Sequence, residues 1–141
     1  MPRLSVWMVR TALACLVAGF ALGALLLAAR GMSAPLPVVA RLRPLHVELL
    51  LLGWIVNLGF GVAHWILPAR LDGTGRGAGP GAVAAFALLN AGVLLAGVGQ
   101  ALSAPAIVPL LGRAAEAAGA ATFAAHAWRR VRPYGAPRRS T

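Results

Sequence analysis

Residues 41–68 read RLRPLHVELLLLGWIVNLGFGVAHWILP, a run dominated by large apolar side chains that also holds His46, Glu48, Asn57 and His64. Within it, residues 46–67 are long enough to cross the roughly 30 Å hydrocarbon core of a bilayer, which takes about 20 residues of helix. Three more stretches have this character, at about 11–29, 81–102 and 107–128. In lipid every backbone polar group must be satisfied within the segment or by a closed sheet, and strand-like alternation is missing from all four. The expected fold is therefore all-α: a polytopic membrane protein whose residues 1–141 form one domain, a four-transmembrane-helix bundle ending in a basic tail at 129–141.

Composition agrees. The chain is 60% hydrophobic and 11% charged, which excludes an ordinary soluble globular domain. A single cysteine, Cys15, excludes an internal disulfide. The first apolar stretch follows Arg3 and Arg10 and precedes small residues after Arg30, so a cleaved secretory signal competes with a membrane span. Its apolar core exceeds the roughly 7–15 residues of a signal peptide, and a span is expected.

The arginines orient the bundle. Nine of them (3, 10, 70, 76, 129, 130, 132, 138 and 139) fall on the side that holds both termini and the loop after the second helix, against four (30, 41, 43 and 113) on the other. Positive charge is retained in the cytoplasm during insertion, so both termini are expected there, in a bacterial-type inner membrane. The net charge of +10 is then explained by topology and by attraction to anionic membrane lipid, and nucleic acid is not an expected partner. The glycine-rich loop ARLDGTGRGAGP, residues 69–80, has no strand before it, so its likeness to a phosphate-cradling loop fails on context.

Polar groups inside a span are costly and face the bundle interior or a cavity. At about 100° per residue, His46, Gly53, Asn57 and His64 fall on one inward stripe, with Glu48 on the opposite face near an arginine or water. His46 and His64 are about 27 Å apart along a helix and belong to different membrane surfaces. His126 of the fourth helix lies at the level of His64, and a histidine from each of two facing helices beside glycines is an arrangement that holds haem. Amphipathic placement among headgroups is the competing role for both, each having a tryptophan close behind it. Glu116 follows Arg113 at the spacing of a local ion pair, and Arg113 with Arg41 and Arg43 offers a cluster for an anionic group. Asn90 and Gln100 are expected to bond between helices, and the alanine-rich fourth helix to pack closely in the bundle or against another protomer.

The run from Arg41 to His46, followed by Gly53, Trp54, Gly61 and the ILP at 66–68, resembles the second transmembrane helix of the haem-copper oxidase catalytic-subunit family, in its C-type oxidase and nitric oxide reductase branch. The resemblance covers about the first two helices. It implies that His46 ligates haem b at the outer side, where the arginine distribution independently puts it. The family's other haem and copper histidines have no counterpart, so oxygen or nitric oxide reduction by this chain alone is not expected and no catalytic residue is assigned. That family is built from repeated four-helix arcs with pseudo-threefold symmetry, which suggests a homotrimer by analogy.

The leading expectation is a membrane b-type haem protein acting in electron transfer or haem handling, with His46 as axial ligand, Gly53 and Asn57 continuing its face, and Arg41, Arg43 and Arg113 meeting the propionates. A variant ligates the iron with His64 and His126. A second class is a cofactor-free accessory or assembly subunit of a respiratory oxidase or reductase complex. A third, a quinone-interacting or transport protein, is weakened by the lack of a paired intramembrane acid or a broken-helix repeat.

Overall fold

The computed structural model describes residues 1–31, 37–68, 79–128 and 130–131. Residues 69–78 of the glycine-rich loop and nearly all of the basic tail lie outside them. The described chain is helical, with no strand among its residues. Four long helical units build it: α1 (Arg3–Arg30); a second unit made of α2 (Pro37–Ala40), α3 (Arg43–Glu48), a π-helical segment (Leu49–Val56) and α4 (Asn57–Ile66); α5 (Pro80–Ala101); and α6 (Ile107–Trp128).

Local sequence explains the boundaries. Pro44 and Pro80 sit in the first turns of α3 and α5, where a missing N–H costs nothing. Leu67, forced out of the helical region by the following Pro68, ends α4 with ψ at 141°. Ser103 takes φ of 53°, a left-handed conformation that lets Ala104 N–H reach back to Gly99 O and closes the α5–α6 hairpin. Within the second unit the winding widens after Glu48, and Asn57 N–H bonds to Leu52 O, five residues back.

The units run alternately up and down. Ser5 Oγ of α1 donates to Gly61 O of α4 at 2.6 Å, His126 of α6 packs on Gly81 of α5, and Arg130 reaches the end of α4, so these termini share one end of the bundle. This is called the His64 end, and the opposite one the His46 end. The most extensive contact is between α5 and α6. A Cβ on Gly112 would lie 2.5 Å from Ala96 N, so these backbones approach as only glycine permits. The small-residue face of α6 is thus engaged inside the bundle.

Buried apolar residues are few and centre on Leu4, Met8 and Ala82, with Phe60 and Phe86 against them. Val17, Phe20, Leu27, Leu94 and Leu110 instead stand on the outside. A soluble protein rarely exposes such a continuous apolar surface, whereas lipid solvates it. α1, Pro37–Ile66 and α5 are long and apolar enough to cross a membrane. α6 has the same length as α5, but Arg113, Glu116 and its alanines leave it outside that class, a difference from the four equivalent spans expected.

Candidate functional site

The expected single stripe is divided between two faces. His46 and Gly53 turn to α1: a Cβ on Gly23 would sit 2.8 Å from His46 Cε1, and one on Gly53 would sit 2.9 Å from Cys15 Sγ. Asn57 turns to α5 and donates to Asn90 Oδ1 at 3.0 Å, while His64 meets His126 and Arg130. The π segment is the physical cause. Each residue in a wider turn advances through a smaller angle, so positions beyond Val56 lag behind the azimuth a regular helix would give them. Gly53 therefore fills a packing contact, and Asn57 lies away from His46.

At the His46 end, His46 Nδ1 lies 2.8 Å from Gly19 O. A carbonyl only accepts, so Nδ1 carries the proton and donates it, leaving Nε2 with its lone pair. Histidines that ligate metals are held in this way by their second ring nitrogen. His46 lines a cavity of about 460 Å³ shared with Gly23, Leu26, Leu27, Arg30 and Arg43. That volume falls in the range of small-molecule sites, about 300–1,000 Å³. One imidazole with a free Nε2, two guanidinium groups and an apolar wall fit a haem, whose carboxylates the arginines would meet. The other expected arginines stand elsewhere. Arg41 is exposed in the turn between α2 and α3 and is not part of the lining. Arg113 is bound by two acids, its Nη2 by Glu48 Oε1 and its Nη1 by Glu116 Oε2 at 3.2 Å.

At the His64 end, the imidazoles of His64 and His126 are 5.9 Å apart between centroids and inclined by 33°. The expected proximity is real, but the protonation pattern differs from that of a ligand pair. Arg130 Nη1 lies 3.2 Å from His64 Nδ1, and a guanidinium only donates, so Nδ1 accepts and the proton sits on Nε2. His64 is fully buried and its Nε2 has no hydrogen-bond partner among the described residues. Ligating iron through Nε2 would shift that proton to Nδ1, facing the guanidinium. Arg130 also donates to the carbonyls of His64, Leu67 and Pro68, closing the end of α4. These contacts make the cluster an interhelical lock.

Two features were missed in the sequence. Arg30 joins the His46 cavity, and Arg130 belongs to the bundle although it opens a basic tail. Gly19 and Gly23 of α1, four residues apart, were a usable signal, because small residues at that spacing mark the close approach of a second helix. Gln100 departs from the interhelical role expected of it and bonds within its own helix, to Ala96 O. No group of three or more metal-ligating side chains occurs among the described residues. No protein-family model matches the chain, and no curated protein or solved structure is similar to it.

Proposed function

We propose that this chain is a bacterial-type inner-membrane protein, crossing four times with both termini cytoplasmic, that binds haem b at His46 and acts in electron transfer or haem handling. The observation that carries the reading is the hydrogen bond from His46 Nδ1 to Gly19 O, which leaves Nε2 as the ligating atom beside a cavity holding Arg30 and Arg43. The fourth crossing, by α6, is supported by its length and by the pairing of its two charges with each other and with Glu48. The nine arginines on the terminal side support the orientation. Kinship with the haem-copper oxidase catalytic subunit is part of the proposal and rests on the residues from Arg41 to His46.

In this reading His46 would hold the iron and Arg30 and Arg43 would bind the propionates, Arg113 being committed to its two acids. When bound, the haem would supply one-electron exchange; the chain would supply the His46 nitrogen, the countercharges of Arg30 and Arg43 and the apolar wall. Titration of the purified chain with haem, read by the Soret band and pyridine haemochrome, tests this. Saturable binding that His46→Ala abolishes and that Arg43→Gln weakens by about 10- to 100-fold supports it, the latter matching about 1.5–3 kcal/mol for a charged hydrogen bond. No saturable band, or one indifferent to His46→Ala, refutes it.

A second reading is a cofactor-free accessory subunit of a respiratory complex. It is favoured by the engagement of Glu48, Asn57, His64 and Glu116 in contacts between helices. A stable, colourless chain that copurifies with an oxidase and takes up no haem would select it.

A further inference from the structure

The cavity beside His46 opens on the lipid-facing side of α1. Leu27 lines it and is 71% exposed, and it ends an apolar stripe of exposed residues on α1 that includes Leu13, Val17 and Phe20. From Leu13 to Leu27 the stripe rises about 21 Å, more than the about 15 Å that one leaflet contributes to a core of roughly 30 Å. The polar end of the cavity lies at the end of the bundle, since Arg30 is the last residue of α1 and Arg43 the first of α3, and both are exposed. A molecule seated there would have its head at the membrane boundary and its body against apolar helix.

The charge at this end is uncompensated. The chain has only three acidic side chains: Glu48 and Glu116 are both bound to Arg113, and Asp72 lies outside the described residues. Neither Arg30 nor Arg43 has an ion-pair partner among the described residues, and the exposed Arg41 adds a third positive charge nearby. Two guanidinium groups without an acid select an anion, and their planar forks match the oxygens of a phosphate. A neutral ring would leave both charges unmatched.

His46 narrows the choice. Its Nδ1 hydrogen goes to Gly19 O, so Nε2 can only accept. A phosphodiester has acceptor oxygens alone and suits the arginines, whereas Nε2 needs a hydroxyl. We propose that this cavity holds the headgroup of an anionic phospholipid bearing a free hydroxyl, such as phosphatidylglycerol, with the phosphodiester at Arg30 and Arg43, the hydroxyl donating to His46 Nε2 and an acyl chain along the α1 stripe. Lipid binding of this kind needs no haem. The arginines are those assigned to the propionates, so lipid and haem exclude one another there.

Native mass spectrometry of the full chain, delipidated and free of haem in detergent, tests this. The probes are phosphatidylglycerol; phosphatidylethanol, of the same charge but without a free hydroxyl; zwitterionic phosphatidylcholine; and glycerol 3-phosphate, which has no acyl chain. One phosphatidylglycerol should be retained per chain, with phosphatidylethanol weaker by about 2- to 10-fold for the loss of one neutral hydrogen bond, and the other two weaker still. Arg30→Gln and Arg43→Gln should each weaken both anionic lipids by about 10- to 100-fold, and His46→Ala should abolish the preference between them. Phosphatidylcholine held as well as phosphatidylglycerol overturns the proposal, as does equal retention of the two anionic lipids by the wild-type chain. Glycerol 3-phosphate bound as tightly as lipid would mean a site for soluble anions, and an equal loss in Arg3→Gln, at the His64 end, would mean diffuse attraction to a basic surface; either refutes it. If a variant fails to fold, the four probes on the wild-type chain decide the question. Because no haem is present in these measurements, their failure and that of the haem titration are distinct.

Discussion

The α5–α6 contact makes a comparison of two identical substitutions informative. Gly→Ala inside a helix removes unfolded-state freedom and gains about 0.5–1 kcal/mol where there is room. At Gly59 of α4 a Cβ meets nothing within 4 Å, so Gly59→Ala should show that gain. At Gly112 of α6 the new Cβ falls 2.5 Å from Ala96 N and 2.9 Å from both Ala96 Cα and Cβ. These are mostly backbone atoms, and no flexible side chain can swing aside. Restoring an ordinary carbon separation of about 3.5–4.0 Å requires the two helices to part by about 1 Å, and a gap of that size forfeits a quarter to a half of each neighbouring van der Waals contact. Overpacking of this kind costs about 1–3 kcal/mol. The propensity gain is common to both variants and cancels, so Gly112→Ala should be less stable than Gly59→Ala by about 1–3 kcal/mol. Reversible unfolding in mixed micelles with rising denaturing detergent measures the difference. Equal stability of the two variants would refute the close approach of α5 and α6 as described.

Two further perturbations address the polar contacts. Arg130→Leu removes the donor shared by His64 Nδ1 and the carbonyls of His64, Leu67 and Pro68, and orphaned acceptors cost about 1–3 kcal/mol each before water reaches some of them; a loss of about 2–4 kcal/mol in the same assay is expected, and a change under 0.5 would mean that α4 ends without this cap. In a double-mutant cycle of Asn57→Ala and Asn90→Ala, the interhelical amide bond should appear as a coupling of about 0.5–2 kcal/mol, and strict additivity would deny the bond its role.

Helix existence was readable because lipid demands it: the apolar lengths alone located four helices, and Pro44, Pro68, Pro80 and the turn at Ser103 lie where their ends are observed. Charge pairing was half readable. The Arg113–Glu116 spacing is local, so its ion pair follows from helix geometry, but Glu48 joins it through a contact between distant segments that no spacing in the chain encodes. Azimuth was the weak link. A constant angle per residue carries an error forward, and eight residues of π winding between His46 and His64 moved Asn57 and His64 onto another face. Arg130 escaped notice because its place in the bundle depends on α6 ending beside α4, which is tertiary information.

The same winding gives the second unit its position in the bundle. An unbroken α-helix would carry His46, Asn57 and His64 along nearly one line, since 11 and 18 residues are close to whole numbers of turns of about 3.6 residues. One neighbour would then have had to satisfy all three. With the π segment between them, His46 meets a carbonyl of α1 while Asn57 meets an amide of α5 and His64 a guanidinium beyond α6. Each polar side chain so obtains a partner from a different element, at a depth where an unmatched group is costly. The consequence falls on His46. Directed at Gly19 O, its ring is fixed in the tautomer that frees Nε2 beside the arginine-lined cavity, whereas His64, directed at Arg130, is fixed in the opposite one. Two histidines on one helix are thus given different protonation patterns by the groups their Nδ1 atoms face, a carbonyl for His46 and a guanidinium for His64.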